Sequence, residues 1–358
     1  MKNFYHTYRT ISKILDLDFN SSDDSKEVSR QGVFNWDKII PLASSHLVLP
    51  TIYYNLKKKD LLAGLPLDLT SFLKEIAELN SHRNSLILKQ IIHISKLFKK
   101  EGIEFVFLKG AALLGMGAYE NTGERMIGDI DILVSYSSIE KAFGLLLKNG
   151  YSILQNTPGY SNLTPKHKPR IVHENEDYVC AVEIHNRLFE NFDFPELNNK
   201  NIITNRVMSK DIWTPKLEHL FLHNILNWQV NDNGILKKSI GFRSIYDHSL
   251  FIKKDIHLIK SKWLNEAPFS SYLSLYSILY PNFKIKTNLK LKLDRVLFIG
   301  RLKSPFLRYL WHKTIKIKLA LKFLSNRAGH FIRNEKYRKA ILLEKNNSLS
   351  KLKKTLKK

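Results

Sequence analysis

Two aspartates one residue apart, Asp129 and Asp131, stand in the segment RMIGDIDILV. Alternate side chains of a strand share a face, so both carboxylates point one way while Ile130 and Ile132 point into a core. Two such charges repel unless a cation lies between them, and hard oxygen ligands suit Mg²⁺ or Mn²⁺. A lone Asp-x-Asp equally fits a pair of acids at the exposed end of a strand, so its neighbourhood has to decide. Upstream, Lys109-Gly110 stands where the apolar run IEFVFL gives way to KGAALLGMGAY. Glycine lets a backbone approach phosphate closely, a helix start offers free N–H groups, and Lys109 adds a cation. A plain strand-to-helix turn is the bland alternative. No Walker loop is present, because no Gly-Lys-Ser/Thr follows Gly115 and Gly117.

Downstream, Glu183 and His185 share a strand face in AVEIH, with Val182 and Ile184 opposite. On a strand neighbouring the aspartates, Glu183 would be the third acid of a two-metal site, in which one metal would activate an acceptor hydroxyl and the other would bind the triphosphate and the leaving pyrophosphate. It could also take the hydroxyl proton. Glu174, Glu176 and Asp177 lie close in sequence and compete for that place. His185 reads both as a phosphate or acceptor contact and as a hydrogen-bonded structural histidine.

The elements that must hold these residues follow from periodicity. Leu73, Ile76, Ala77, Leu86, Ile87, Ile91, Ile94, Leu97 and Phe98 recur at helical spacing, which predicts a helix over 68–100 that stops at Gly102. Residues 35–58 read as helical from an Asn35 cap, broken or bent at Pro41 and Pro50. Residues 103–108 and 125–134 read as strands, 137–151 as an amphipathic helix, and RIVHE with YVCAVEIHNRLF as a further strand pair. From Thr214 the chain reads as helical again. The fold class expected is α+β, a small mixed sheet flanked by N-terminal and C-terminal helical regions. The division expected is 1–100 helical, 101–195 α/β core, 196–300 helical and 301–358 a basic helical extension.

The run FVFLKGAALL, the Arg-x-x-x-Asp-x-Asp strand from Arg125, the LLLKNGY helix end and VEIH together resemble the uncharacterised nucleotidyltransferase family of the DNA polymerase β-type superfamily. The resemblance spans roughly Asn35 to Asp247 and implies a nucleotidyltransferase core, a nucleoside triphosphate donor and divalent metal. It implies that Gly110 holds phosphate, that Asp129 and Asp131 bind the metals, that Glu183 is the third acid and that Arg125 meets the triphosphate. Where the superfamily usually has Gly-Ser or Gly-Gly at the turn, this chain has Gly110-Ala111. The activity implied is transfer of a nucleoside monophosphate to an acceptor that is RNA, protein or a small molecule. Asp-x-Asp also serves metal-dependent glycosyltransferases, a reading that leaves Lys109-Gly110 and Glu183 without a role. A catalytically inactive binding or adaptor protein on the same fold is the rival from outside enzymology.

Composition limits the remaining classes. With 44% hydrophobic residues the 358-residue chain can build real cores. One cysteine, Cys180, excludes an intramolecular disulfide, and neither a secretory leader nor a membrane-spanning run is legible, so a cytoplasmic protein is expected. The net charge of +24 is uneven: residues 301–358 carry 18 Lys/Arg against Glu335 and Glu344. That extension fits an anionic membrane surface, nucleic acid, or a packed helix with a solvated lysine face. His219 and His223 stand four apart, but Leu220 occupies the place a zinc-protease glutamate needs, so both read as packed or polar helix residues. Asp247 reads as a solvated acid or as a residue lining the cleft from the helical side.

Overall fold

The helix read over 68–100 is the spine of the molecule. The computed structural model describes residues 4–17, 34–154, 166–190 and 192–343, so the lysine-rich KLKKTLKK end falls outside the described residues. Helices α1 (Phe4–Leu15), α2 (Trp36–Ser45) and α3 (Leu49–Lys58) precede the 34-residue α4 (Leu67–Lys100). Asn35 caps α2, its side chain accepting from the Lys38 N–H. Pro41 lies inside α2 without ending it, whereas Pro50 opens α3, where its missing N–H would have been unpaired anyway. Leu73, Ala77, Ile87, Ile91, Ile94 and Phe98 are buried as their spacing predicts. Asn80, Asn84 and Gln90 are buried among them.

Those three amides explain where the strands begin. β1 (Phe105–Phe107), β2 (Asp129–Val134), β3 (Tyr151–Ile153), β4 (Ile171–His173) and β5 (Ala181–His185) form one sheet in the order β1-β2-β5-β4-β3. β2 and β5 run parallel and the other pairs are antiparallel. A parallel pair needs a crossover; the chain from β2 supplies it through α6 (Ile139–Lys148), which follows the short α5 (Lys109–Gly115) in chain order. The strand read from Arg125 starts only at Asp129. The backbone before it is already bonded to α4: the Asn80 amide donates to Gly123 O (2.7 Å) and Arg125 O (3.2 Å), and the Asn84 amide to Thr122 O (2.7 Å) and Arg125 O (2.8 Å). Arg83 donates to Ile127 O as well. These carbonyls find their donors on α4 rather than on a neighbouring strand. Gln90 does the same at the mouth of β5, donating to Cys180 O (2.9 Å) and accepting from Cys180 N (3.1 Å).

Two features escape the sequence reading. β3 follows α6 directly, where the helix had been read through residue 151. Beyond α7 (Asn199–Thr204), a hairpin of β6 (Val207–Ser209) and β7 (Ile212–Thr214) turns through Lys210 and Asp211, both at positive φ (46° and 68°). That turn favours Asn-Gly or Asp-Gly, so Lys-Asp gave no signal; Ser95 and Lys99 of α4 hold it by donating to Asp211 O. The helices α8 (Leu217–Leu226), α9 (Gly234–Lys237), α10 (Phe242–Lys254), α11 (Ala267–Leu279), α12 (Leu289–Lys303), α13 (Pro305–Arg333) and α14 (Glu335–Leu343) complete an α+β fold with helical flanks. A π-turn, Asn227–Asn231, extends α8. Among the described residues, no helix is long and apolar enough to cross a membrane.

His248 on α10 is fully buried beside the rings of Phe221 (5.3 Å), Tyr272 (5.5 Å) and Tyr276 (4.4 Å), and neither ring nitrogen has a hydrogen-bond partner among the described residues. Burial pushes its pKa down to about 3. The unfolded chain therefore takes up this proton first, near pH 6.5, and stability is lost as pH falls from there towards the folded value. Between pH 7 and pH 5 this one group is expected to cost about 2 kcal/mol. A His248→Phe variant should lack that component when unfolding is followed by denaturant titration at both pH values; identical pH slopes for the two proteins would refute the assignment.

Candidate active site

Register alone brings the acids together. On the parallel pair, Asp131 lies opposite Glu183, Asp129 opposite Ala181 and Leu133 opposite His185. Asp129, Asp131, Glu183 and His185 thus line one face of two neighbouring strands, while Ile130, Ile132, Val182 and Ile184 are buried on the other. Glu174, Glu176 and Asp177, the sequence competitors of Glu183, lie exposed in the turn between β4 and β5.

Asp131 is 2% exposed, and its Oδ1 accepts from Lys109 Nζ at 2.7 Å and from His185 Nε2 at 2.9 Å. Burial opposes its ionisation, but the Lys109 ammonium and the His185 hydrogen bond hold its carboxyl well below the usual range. Asp131 also fixes Lys109 through the backbone, since its carbonyl accepts from Leu108 N at 2.9 Å. Lys109 itself has φ of 49°, a left-handed conformation uncommon for a residue with a side chain. Burial lowers its pKa and the Asp131 carboxylate more than restores it, so the net shift is upward.

Arg170, just before β4, spans the other two acids: its Nη2 pairs with Asp129 and its Nε with Glu183 Oε1 at 2.6 Å. Burial and then the Asp131 and Glu183 charges raise the pKa of Asp129. Glu183 goes the other way, to about 2: burial pushes it up, but the His185 hydrogen bond prevails. Ligand atoms of Asp131, Glu183 and His185 lie within 4.8 Å of one another, a spacing that can hold a metal ion.

Packing alone already requires a glycine at position 110. A Cβ there would lie 2.1 Å from Arg125 Nη1 and 2.7 Å from Ile127 Cδ1. The open side of the glycine is filled by the guanidinium, so Gly110 and Arg125 are packed as a unit. The helix that follows has seven residues, Lys109–Gly115, and its dipole is correspondingly small beside the Lys109 charge.

Arg125, expected from the resemblance to meet a triphosphate, is buried and turned towards α10. Its Nε donates to both Asp247 oxygens at 3.0 Å and its Nη2 to Oδ2 at 2.9 Å, while Tyr119 OH donates to Oδ1 at 3.0 Å. Asp247 is therefore a buried partner at 2% exposure rather than a solvated acid. Glu124 makes a parallel tie, accepting from Tyr246 OH at 2.8 Å.

Beside this pair opens a cleft of about 200 Å³ whose wall includes Lys109, Arg125, His223, Trp228, Arg243 and Asp247. Lys109 lines it while bonding Asp131, so cleft and carboxylates share a wall. Arg243 forms no hydrogen bond or ion pair among the described residues; burial and then the Arg125 charge depress its pKa. His219 and His223 are both buried, as packed helix residues should be, and His223 faces the cleft. Arg170, Arg243 and the partnership of Asp247 were missed in the sequence. The first two sit in segments read only as a strand and a helix, with no local motif to mark them.

Residues 32–266 match the uncharacterised nucleotidyltransferase family. No curated protein matches the chain.

Proposed function

Since the chain belongs to this uncharacterised nucleotidyltransferase family, we propose that it transfers a nucleoside monophosphate from a nucleoside triphosphate to an acceptor hydroxyl or phosphate, releasing pyrophosphate. The observation that carries the reading is the pairing of Asp131 with Glu183 on parallel strands, with Asp129 and His185 on the same face and Lys109 bonded to Asp131.

The donor set fits a hard divalent cation. Asp131 and Glu183 offer carboxylate oxygens close together, Asp129 adds a third beside them, and Mg²⁺ or Mn²⁺ prefers such ligands. Bound there, the metal would make an acceptor hydroxyl more nucleophilic and neutralise charge on the triphosphate. Glu183, ionised down to about pH 2, is a weak base at neutral pH, which favours holding a cation over removing the acceptor's proton. Lys109 and Arg170 pair with these carboxylates.

Arg243, a cation facing the cleft with no hydrogen bond or ion pair among the described residues, is assigned to the phosphate chain together with Lys109. Arg125 becomes a positioning residue, wedged against Gly110 by Asp247. At about 200 Å³ the cleft is smaller than the roughly 300–1,000 Å³ of sites for whole drug-sized ligands. It suits the phosphate chain or the nucleoside, and not both.

The test supplies each of four α-labelled triphosphates with Mg²⁺ or Mn²⁺ to the purified protein in cell extract. An Asp129→Ala/Asp131→Ala variant is run beside it. Label on an extract component, lost in the variant, is the expected result and identifies donor and acceptor together. Absence of transfer, with no metal-dependent nucleotide binding by calorimetry, would sink the reading.

A further inference from the structure

The basic extension is not absorbed by the transferase chemistry, and its shape is specific. α13 runs for 29 residues, Pro305–Arg333, and contains seven Lys/Arg and no acidic residue. One side fixes it to the body: the Arg308 guanidinium lies 4.3 Å from the centre of the Phe4 ring, Trp311 Nε1 donates to Lys237 O at 3.0 Å, and Ile315 is buried. These positions fall at helical spacing and define the inward face.

The opposite side is apolar and exposed. Phe306 (67% exposed), Leu310 (43%), Ile317 (60%), Leu321 (60%) and Leu324 (39%) recur at spacings of three, four and seven along it. Lys313 interrupts the row with its ammonium folded over the Tyr309 ring at 4.7 Å, and exposed Lys316 and Lys318 flank it on either side. A helix that packs one face on its own protein and leaves an apolar row on the other presents a surface for something else.

Charge decides what that something is. Nucleic acid would pair with the lysines and leave the apolar row in water. A second copy would bury the row but set one acid-free lysine helix against another. An anionic bilayer satisfies both sets, taking the apolar row to the acyl boundary and the ammonium groups at the headgroups. We propose that α13 seats the protein on an anionic lipid surface, lying in its plane, with the transferase cleft carried on the membrane-bound body.

The full chain is mixed with vesicles of phosphatidylcholine alone or of equal parts phosphatidylcholine and phosphatidylglycerol, and sedimented. Binding is expected to the mixed vesicles, to fall at least tenfold on the neutral ones, and to weaken as salt is raised. An Ile317→Asp/Leu321→Asp variant should lose at least tenfold in binding with its melting temperature unchanged, because both side chains are exposed. Equal partition of parent and variant would overturn the proposal. So would preferential binding of RNA or DNA that ignores the variant, or dimerisation that the variant abolishes.

Discussion

Replacing Asp129 with asparagine is expected to lower nucleotidyl transfer on the order of 10³-fold, the scale of several kcal/mol of charge stabilisation at a metal site. The melting temperature should stay at or above the parent's. Asp129 is the least buried of the three carboxylates, and burial together with its two acidic neighbours disfavours its charge, so the neutral amide removes a repulsion. Asp131→Asn makes the informative contrast. Asp131 is buried and accepts from both Lys109 and His185, so its amide leaves an ammonium without its counter-charge. That variant should lose transfer to a similar extent and about 2 kcal/mol of stability besides. Transfer rates with labelled triphosphate and thermal unfolding of both variants check the pair. An Asp129→Asn enzyme that keeps its rate would remove the carboxylate face from the chemistry, whatever its stability.

What could be read in the sequence was whatever has a short period. Two-residue alternation put Asp129 with Asp131 and Glu183 with His185, and helical spacing drew α4 to within a residue of its start. What could not be read was long-range pairing. Nothing local shows that Arg125 meets Asp247 across 122 positions, or that Arg170 bridges two strands away from its own. The amides of α4 show why. In the sequence Asn80, Asn84 and Gln90 look like interruptions of an apolar row. In the fold they are its point of contact with the loop before β2 and with the entry to β5. Gly110 shows the same limit: a glycine at a strand-to-helix turn is legible locally, but that its missing side chain makes room for Arg125 is not.

Cutting that long-range tie is expected to have the largest effect on stability. Arg125 and Asp247 are 10% and 3% exposed at their side chains, and Tyr119 donates to the same carboxylate. Asp247→Ala strands a buried guanidinium, which costs about 3–5 kcal/mol, a large share of the roughly 5–15 kcal/mol that holds a domain folded. Replacing the whole cluster by apolar groups, Arg125→Met/Asp247→Leu/Tyr119→Phe, removes every orphan at once and should recover most of that loss. Transfer should not recover with it. Without the guanidinium wedged against Gly110, the Lys109 turn is free to shift, and a displacement near 1 Å is worth about 10²-fold in rate. Denaturant unfolding and transfer kinetics on the single and triple variants separate the two roles. A triple variant that regains both fold and full rate would make the cluster a packing device alone. One that regains stability but not rate makes Arg125 the residue through which the helical flank sets the position of the Lys109-Gly110 turn.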